Sequence, residues 1–437
     1  MKMNRRRFLA TASTGIGAAT WFEPFAPAQT VGSVEGLELD NIYPKAEDGA
    51  TSTAIFYRAK GTNPKAAIIL MHPRADFTRW QLSGYLGKSG IGMLGCASRY
   101  INNDTDCLTE NVLLDIAAGI QQIKERYGIQ RVIGYGHSGG GSLYSFYQGQ
   151  AMIPPGGRLT AGPSGDGPDL NKFNLPQLDG IIISNAHKGE GKVCMSWIDP
   201  SVVDESDPFA TDPALDMYDE RNGYRPPPAS SKYSTEFLMR FRAAQAERTH
   251  RLDTKAKSMI EQQRRAQAQM RSAGFASLDP AEQRRIRRLA SVEQTMVIYR
   301  TAAEPKYTDL SIDPSDRLVH ANPERANYGR TGLARTMTAR GWLSTWSGLS
   351  SNMVRDENLA KITIPTLVIG GTCDISVSGM QYLKDAYDAS AAKDKSMVWI
   401  KGGDHNFVPV EPIAGKRNTV DEAGNAVVKW VHERFLA

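Results

Sequence analysis

The chain has 437 residues, of which 41% are hydrophobic and 23% charged, a composition typical of folded globular proteins and unlike that of disordered or collagen-like polymers. This length favours two domains or one large domain with an insertion, because single hydrophobic cores stop growing at about 250 to 300 residues. Four cysteines exclude a small disulfide-stabilised scaffold, and a net charge of +5, of which residues 1–28 carry +3, does not favour a globally basic nucleic-acid binder.

A basic segment and a weakly apolar one open the chain. Residues 4–10 read Asn-Arg-Arg-Arg-Phe-Leu-Ala, an Ala/Thr/Gly run extends to Trp21, and Ala26-Pro27-Ala28 has the small residues of a cleavage site. Residues 1–28 thus resemble a twin-arginine (Tat) signal peptide, which implies export through the Tat translocase to the periplasm or the medium of a bacterium and a mature chain from about Gln29. The alternative is a basic arm and a short helix that stay with the folded protein.

Short apolar runs alternate with helical patterns over much of the remaining chain. Residues 66–71 form a continuous apolar run typical of a buried strand in a parallel sheet. Similar runs follow at residues 92–96, 131–135, 180–183, 366–369 and 397–400. Residues 36–59 predict an antiparallel pair or edge strands, and residues 110–127 have helical periodicity. The alternation predicts an α/β fold with a mostly parallel sheet covered by helices on both faces.

This alternation is interrupted after residue 185. Up to about residue 360 no buried-strand pattern occurs, and we expect a mainly helical cap inserted between a first core part at 29–185 and a second at 361–437. Within it, Asp279-Pro280-Ala281-Glu282 predicts a helix start with Asp279 as the cap and Glu282 closing a capping box. No run approaches 18 consecutive apolar residues, so no membrane span is predicted in the mature protein.

Residues 235–300 are strongly basic, with a net charge of +7. Three interpretations are a surface that faces nucleic acid or membrane, a solvated helix face whose arginines pair with carboxylates, and a surface that attracts an anionic substrate. The second is favoured and no nucleic-acid partner is expected, because no recognition motif or aromatic stacking pattern accompanies the charge.

A Gly-x-Ser-x-Gly motif, Gly136 to Gly140, directly follows the predicted strand 131–135 and leads into an apparent helix. Small residues allow a sharp turn there, which leaves Ser138 exposed above the sheet as a candidate nucleophile. A serine hydroxyl is a poor nucleophile at neutral pH unless a base activates it and an acid orients that base.

An acid and a base follow downstream, each after a predicted strand. Asp374 comes after the strand at 366–369, and His405 comes after the strand at 397–400. Because the carboxyl ends of parallel strands share one edge of the sheet, both side chains and Ser138 can converge there. Asp404 is the rival acid, but it adjoins His405 in the chain and is poorly placed to reach that ring.

This ordered Ser, Asp, His set resembles the α/β-hydrolase superfamily, with residues 36–185 and 361–437 as the scaffold. The resemblance implies Ser138 as nucleophile, His405 as general base and acid, and Asp374 as its orienting carboxylate. It also implies an oxyanion hole formed by the backbone N–H of Gly139 and by a second N–H in the loop after residue 72. Pro73 has no N–H, so Arg74, or Ala75 in a kinked loop, becomes the expected second donor.

Aromatic residues near these loops are candidates for a substrate pocket. They are Phe77, Trp80, Trp342, Trp346 and Phe407. The two tryptophans at 342 and 346 either line a pocket wall over Ser138 or attach the insertion to the core, and the sequence does not separate these roles.

Other chemistries find little support in the sequence. The chain has no His-Glu-x-x-His or cysteine-pair motif, so a metal is not expected. Gly87-Lys88-Ser89 lacks the earlier glycine of a phosphate loop, since residue 82 is leucine, and no cofactor is expected. The pairing of Cys96, Cys107, Cys194 and Cys373 stays open, because four cysteines allow three connectivities.

The sequence therefore predicts a cofactor-independent serine hydrolase that cleaves small-molecule carboxylic esters through an acyl-enzyme. The same three residues also serve hydrolases of amides, lactones, thioesters or carbon–carbon bonds next to a ketone. A non-catalytic binding protein on a hydrolase fold is the alternative of another class. Haloalkane and epoxide chemistry is disfavoured, because those relatives usually carry aspartate at position 138.

Overall fold

The computed structural model describes residues 35–312, 322–329, 332–374 and 379–436. The expected signal at residues 1–28 lies outside these ranges. The ten strands within them are β1 (Leu37–Ile42), β2 (Thr53–Ala59), β3 (Ala66–Leu70), β4 (Gly92–Ala97), β5 (Arg131–His137), β6 (Gly180–Ser184), β7 (Thr295–Val297), β8 (Thr336–Thr338), β9 (Thr366–Gly371) and β10 (Lys395–Ile400). Each of the six predicted strands, and the antiparallel pair at 36–59, is confirmed, although β10 is half-buried because it lies at the edge of the sheet.

Eight strands form one sheet in the order β1-β2-β4-β3-β5-β6-β9-β10. The pairs β1–β2 and β2–β4 are antiparallel, and the other adjacent pairs are parallel. This mostly parallel sheet, flanked by helices, has the α/β-hydrolase fold. The carboxyl ends of β5, β9 and β10 consequently lie at the same edge.

The α-helices described are α1 (Ser83–Lys88), α2 (Thr109–Tyr127), α3 (Gly139–Ala151), α4 (Glu190–Trp197), α5 (Thr235–Met270), α6 (Pro280–Ser291), α7 (Pro323–Tyr328), α8 (Ala339–Gly341), α9 (Arg355–Leu359), α10 (Gly379–Ala389) and α11 (Thr419–Val431). A π-helical turn, Trp342–Trp346, continues directly from α8, and another, His432–Leu436, follows α11. Short 3-10 turns occupy Asp104–Asp106, Leu170–Lys172, Glu220–Asn222, Phe275–Ser277 and Pro305–Tyr307.

Successive residues of β3 point to opposite faces of the sheet and enter two separate cores. Ala67 and Ile69 pack with residues of α2, α3 and α10, whereas Ile68 and Leu70 pack with residues of α1 and α11. All of β3 is buried. A strand buried on both faces reads as a continuous apolar run, which explains why the sequence pattern identified it.

The chain between β6 and β9 forms an insertion that is mainly helical but also holds a two-stranded sheet. Strands β7 and β8 pair antiparallel there, which the sequence did not predict. Asp279 caps α6 as predicted, accepting from the N–H groups of Ala281 and Glu282. The carboxylate of Glu282 binds the guanidinium of Arg285, so the expected capping box is wrong.

Arginines of the basic stretch pair with carboxylates on and beyond their own helix. Arg248 of α5 is fully buried, and its Nε lies 2.7 Å from Glu205 Oε1. Arg265 pairs with Glu261 one turn away on the exposed face of α5. No helix in the described part of the chain has the length and apolar character needed to cross a membrane.

Buried polar contacts attach the π-helical turn after α8 to the start of α2. Ser344 Oγ donates to Glu110 Oε2 at 2.5 Å and accepts from the N–H of Thr109 at 2.9 Å. Thr345 Oγ1 donates to the carbonyl of Cys107 at 2.6 Å. The insertion is therefore tied to the sheet scaffold beside the loops that carry the candidate site.

All four cysteines are buried and free. Burial raises the pKa of the thiols of Cys96, Cys107 and Cys194. They are accordingly small apolar core residues with little thiolate character at neutral pH.

Candidate active site

Ser138 occupies a tight turn between β5 and α3. Its backbone has φ 55° and ψ −124°, a conformation that non-glycine residues rarely adopt. A Cβ at Gly136 would lie 2.5 Å from Cα of Gly141, and one at Gly140 would lie 2.9 Å from the carbonyl oxygen of Met71. Glycine at both motif positions thus permits the close approach that the turn requires, and the turn places Ser138 at the carboxyl edge of the sheet.

His405 and Asp374 meet at the same edge, from the loops after β10 and β9. His405 Nδ1 lies 2.8 Å from Asp374 Oδ2, and Asp374 is 1% exposed. The ring of His405 lies 4.8 Å, centroid to centroid, from the ring of His137, the residue before Ser138. The structure therefore brings the loops of all three predicted residues together.

Asp374 governs the electrostatics of His405. Burial alone would lower the pKa of His405, but the charge of Asp374 and its hydrogen bond outweigh burial and raise that pKa above 6.5. With Nδ1 directed at the carboxylate, the proton of the neutral ring is assigned to Nδ1 and Nε2 is left as the acceptor.

Asp404, the rival acid, is engaged within its own loop. Its Oδ1 accepts the backbone N–H of Asn406 at 2.8 Å and that of Val408 at 2.7 Å. The carboxylate next to His405 in the chain therefore shapes the loop, whereas Asp374 contacts the ring.

Asn185, which the sequence reasoning did not single out, joins the two loops. Its Nδ2 donates to the carbonyl oxygens of His405 at 2.7 Å and Asp404 at 3.2 Å, and its Oδ1 accepts the N–H of Gly371 at 2.9 Å. The available signal was its position directly after β6, since residues past the carboxyl ends of such strands face the ligand-binding edge.

Three predicted pocket residues pack beneath the site. The ring centroids of Phe77, Trp80 and Phe407 lie 5.9, 5.3 and 6.3 Å from that of His137. All three are buried in the core on the α1 and α11 face. These three rings pack against the ring of His137, which in turn lies next to the ring of His405.

The two tryptophans of the insertion have different surroundings. Trp342 is buried, and its indole N–H donates to Asp253 of α5 at 2.7 Å, so it packs the insertion against itself. Trp346, also buried, has its ring 5.1 Å from the guanidinium carbon of Arg74. Of the pair, Trp346 is thus the one that reaches the loop after β3.

The loop after β3 folds back on its own histidine. His72 Nδ1 accepts the N–H of Arg74 at 3.3 Å and the N–H of Ala75 at 3.1 Å. In this structure the N–H of Arg74, the expected second oxyanion donor, is therefore directed at the His72 ring. Gly139 is the first residue of α3, where helical N–H groups have no partner within the helix.

A buried cluster formed by Glu190, His72, His187 and Arg74 lies beside Gly139. Glu190 Oε1 is 3.7 Å from His72 Nε2 and 3.6 Å from Arg74 Nε, and Glu190 Oε2 is 3.6 Å from His187 Nε2. Burial lowers the pKa of His72 well below 6.5 and that of His187 to about 4. Both histidines are therefore neutral near pH 7.

Hydrogen bonds to the far side of each ring fix where the ring proton resides. His187 Nδ1 accepts the N–H of Gly189, as His72 Nδ1 accepts two backbone N–H groups, so both protons are assigned to Nε2. The Nε2–H groups of both rings are therefore on the side of Glu190, at distances beyond a hydrogen bond.

Within the described ranges, no group of three or more His, Cys, Asp or Glu side chains is arranged to hold a metal ion.

No protein-family model matches the chain, and no curated protein matches it in sequence. Solved structures similar to it include the esterase domain of a Rhodothermus marinus protein, 12% identical, with a TM-score of 0.40 over 91% of this chain and 98% of that one. Est1E from Butyrivibrio proteoclasticus is 11% identical, with a TM-score of 0.42 over 91% and 99%. Carboxyl esterase 2 from Tuber melanosporum is 11% identical, with a TM-score of 0.43 over 98% of each chain.

Proposed function

We propose that this protein is a serine hydrolase of carboxylic esters, with Ser138 as nucleophile, His405 as general base and acid, and Asp374 as the orienting carboxylate. The observation that carries the proposal is the 2.8 Å contact between His405 Nδ1 and Asp374 Oδ2, beside the strained turn of Ser138. A base held in one tautomer beside a half-buried serine in a strained turn is the arrangement that nucleophilic acyl transfer requires.

The reaction proceeds in two acyl-transfer steps. Ser138 Oγ attacks the ester carbonyl while His405 Nε2 takes its proton, and the resulting oxyanion accepts the N–H of Gly139. His405 then gives that proton to the leaving alkoxide, and an acyl-enzyme on Ser138 remains. Water, deprotonated by His405, attacks the acyl carbonyl, and the returned proton restores the serine hydroxyl as the acid leaves.

The insertion serves this site as a cap. Trp346 packs on Arg74 in the loop after β3, and Ser344 and Thr345 attach the same turn to the core. We expect the acyl group of the substrate to bind where this turn of the cap meets the loop after β3.

A panel of p-nitrophenyl esters of increasing acyl length, tested beside an aryl amide and a lactone, examines the substrate class. We expect turnover of the esters, with a preferred acyl length that reports the size of the acyl site. Turnover of the amide or the lactone without any ester turnover would contradict ester hydrolysis. It would still be compatible with catalysis by Ser138, His405 and Asp374. If the folded protein turned over none of these substrates, the result would instead favour a binding protein.

The pH dependence of the reaction follows from the state of His405. A general base must be neutral, and Asp374 raises the pKa of His405 above 6.5. We expect kcat/KM to rise with pH through a single ionisation whose midpoint lies above 6.5, and to be lost as pH falls below it. His72 and His187 are already neutral there and add no ionisation in that range. A midpoint near 4, measured in pH–rate profiles, would assign the base to another group.

We also propose export through the Tat translocase to the periplasm or the medium, which rests on residues 4–10 and 26–28. N-terminal sequencing of protein from the periplasmic fraction of a bacterial host tests this. A mature end near Gln29 is expected, and an uncleaved cytoplasmic product would contradict it.

A further inference from the structure

We infer that His72 is a catalytic residue of this site, in which its Nε2–H is the second donor of the oxyanion hole beside the N–H of Gly139. The inference rests on the proposed hydrolase function. It concerns the group that replaces the backbone donor usually supplied by the loop after β3.

The two backbone N–H groups expected as donors in that loop are otherwise engaged. Pro73 has none, and those of Arg74 and Ala75 both point at His72 Nδ1, at 3.3 and 3.1 Å. A tetrahedral intermediate needs preorganised donors, so a donor other than these two N–H groups is required unless the loop rearranges.

The same contacts determine what the His72 ring offers. An Nδ1 that accepts two N–H groups leaves the ring proton on Nε2, on the opposite side of the imidazole. Burial, together with the positive charge of Arg74, disfavours a second proton and keeps the pKa of His72 well below 6.5. His72 is thus a neutral, fixed hydrogen-bond donor at the pH at which His405 acts as base.

Gly139 shows how close that donor is to the oxyanion position. A Cβ built on Gly139 would lie 2.5 Å from Glu190 Oε1 and 2.8 Å from His72 Nε2, so both groups border this position. Since a Cβ is about 2.5 Å from the nitrogen of its own residue, Nε2 lies within about 5.3 Å of the Gly139 nitrogen. Two donors that each lie about 2.9 Å from one oxygen can be up to about 5.8 Å apart, so the separation of these two nitrogens is compatible with one shared oxyanion.

Glu190 does not take up this N–H in the resting site. Its Oε1 lies 3.7 Å from His72 Nε2, beyond hydrogen-bond distance. A buried carboxylate beside an oxyanion would oppose the reaction, but Arg74 Nε lies 3.6 Å from the same oxygen and offsets its charge. The cluster therefore keeps a donor next to Gly139 without adding net negative charge there.

Two substitutions separate this role from that of a loop support. In His72→Asn the side-chain oxygen stands where Nδ1 was and accepts the N–H groups of Arg74 and Ala75, but no donor reaches Gly139. In His72→Gln the longer amide places its NH2 near the position of Nε2, but the Nδ1 acceptor is lost. His72→Asn therefore removes only the donor toward Gly139, and His72→Gln removes only the acceptor that holds the loop.

We expect His72→Asn to lower kcat for a p-nitrophenyl ester about 100-fold, with KM little changed and the thermal unfolding midpoint near that of the wild type. His72→Gln is expected to keep kcat within about tenfold of the wild type, with a lower unfolding midpoint. The rate of fluorophosphonate labelling should likewise be lower in His72→Asn than in His72→Gln, because the phosphoryl oxygen of the probe enters the same oxyanion hole.

The reverse order would overturn the inference: an active His72→Asn with an impaired His72→Gln means that His72 only supports the loop. An active wild type whose rate neither variant changes would also overturn it while leaving the proposed function intact. A folded wild type that neither turns over esters nor reacts with the probe would overturn the proposed function, and the assignment of His72 with it.

Discussion

Ser138→Ala is expected to lower kcat for ester hydrolysis by about 10⁴-fold or more and to abolish covalent labelling by a fluorophosphonate probe. The variant lacks the oxygen that forms the acyl-enzyme, while the N–H of Gly139 and the pair of His405 with Asp374 are retained. Any remaining hydrolysis would come from water activated by His405 and from the oxyanion donors, with no burst of released alcohol. Intact-mass spectrometry of probe-treated protein and steady-state kinetics measure both effects.

Ser142→Ala is the matched control, because Ser142 lies one turn into the same helix. Its hydroxyl is buried and donates to the carbonyl of Gly139 at 2.9 Å, so its loss is expected to cost about 1 kcal/mol of stability. It should still be labelled, with kcat within a few-fold of the wild type. Labelling of Ser138→Ala to the same extent would place the nucleophile elsewhere in the chain.

The scaffold of the site could be read from the sequence because its elements leave unambiguous patterns. Strands β3 and β9 are buried on both faces and appear as continuous apolar runs. A glycine pair around Ser138 leaves a recognisable motif because backbone contacts at Gly136 and Gly140 exclude larger side chains. The loops of Asp374 and His405 were placed by the simple rule that carboxyl ends of parallel strands share an edge.

The surroundings of the site could not be read in the same way. Glu190 and His187 belong to the segment after β6, and only the packing of that segment over Gly139 brings their side chains to the loop after β3. Likewise, the N–H of Arg74 was assigned to the oxyanion from the family pattern, whereas the ring of His72 takes it. Contacts between side chains far apart in the chain leave no periodic signal.

The strands of the insertion are too short to be predicted from the sequence. Its two strands have three residues each, too few for an alternation of buried and exposed positions to be recognised. The tryptophans at 342 and 346 share one turn and the same residue type, yet Trp342 binds Asp253 inside the insertion and Trp346 lies on Arg74. Their roles depend on the neighbours that the fold supplies.

Asp374→Asn is expected to lower kcat about 10⁴-fold while leaving the fold and KM nearly unchanged. The amide has the size of the carboxylate but presents an NH2 group or a weaker acceptor to His405 Nδ1, so the ring is no longer held in the tautomer with Nε2 free. It also lacks the negative charge that raises the pKa of His405 and stabilises the imidazolium formed as Ser138 attacks. Steady-state kinetics and the pH–rate profile of the residual activity measure these effects.

Asp404→Asn provides the comparison, because it removes a carboxylate from the residue adjacent to His405 without dismantling the loop. The amide oxygen can still accept the N–H groups of Asn406 and Val408, which an alanine at this position would leave unpaired. We expect kcat within about threefold of the wild type. The variant also removes the charge of Asp404, which raises the pKa of His405 less than the charge and the hydrogen bond of Asp374 do. A large loss in Asp404→Asn together with an active Asp374→Asn would exchange the roles of the two acids, and the 2.8 Å contact of His405 with Asp374 would then be a resting arrangement that substrate binding breaks.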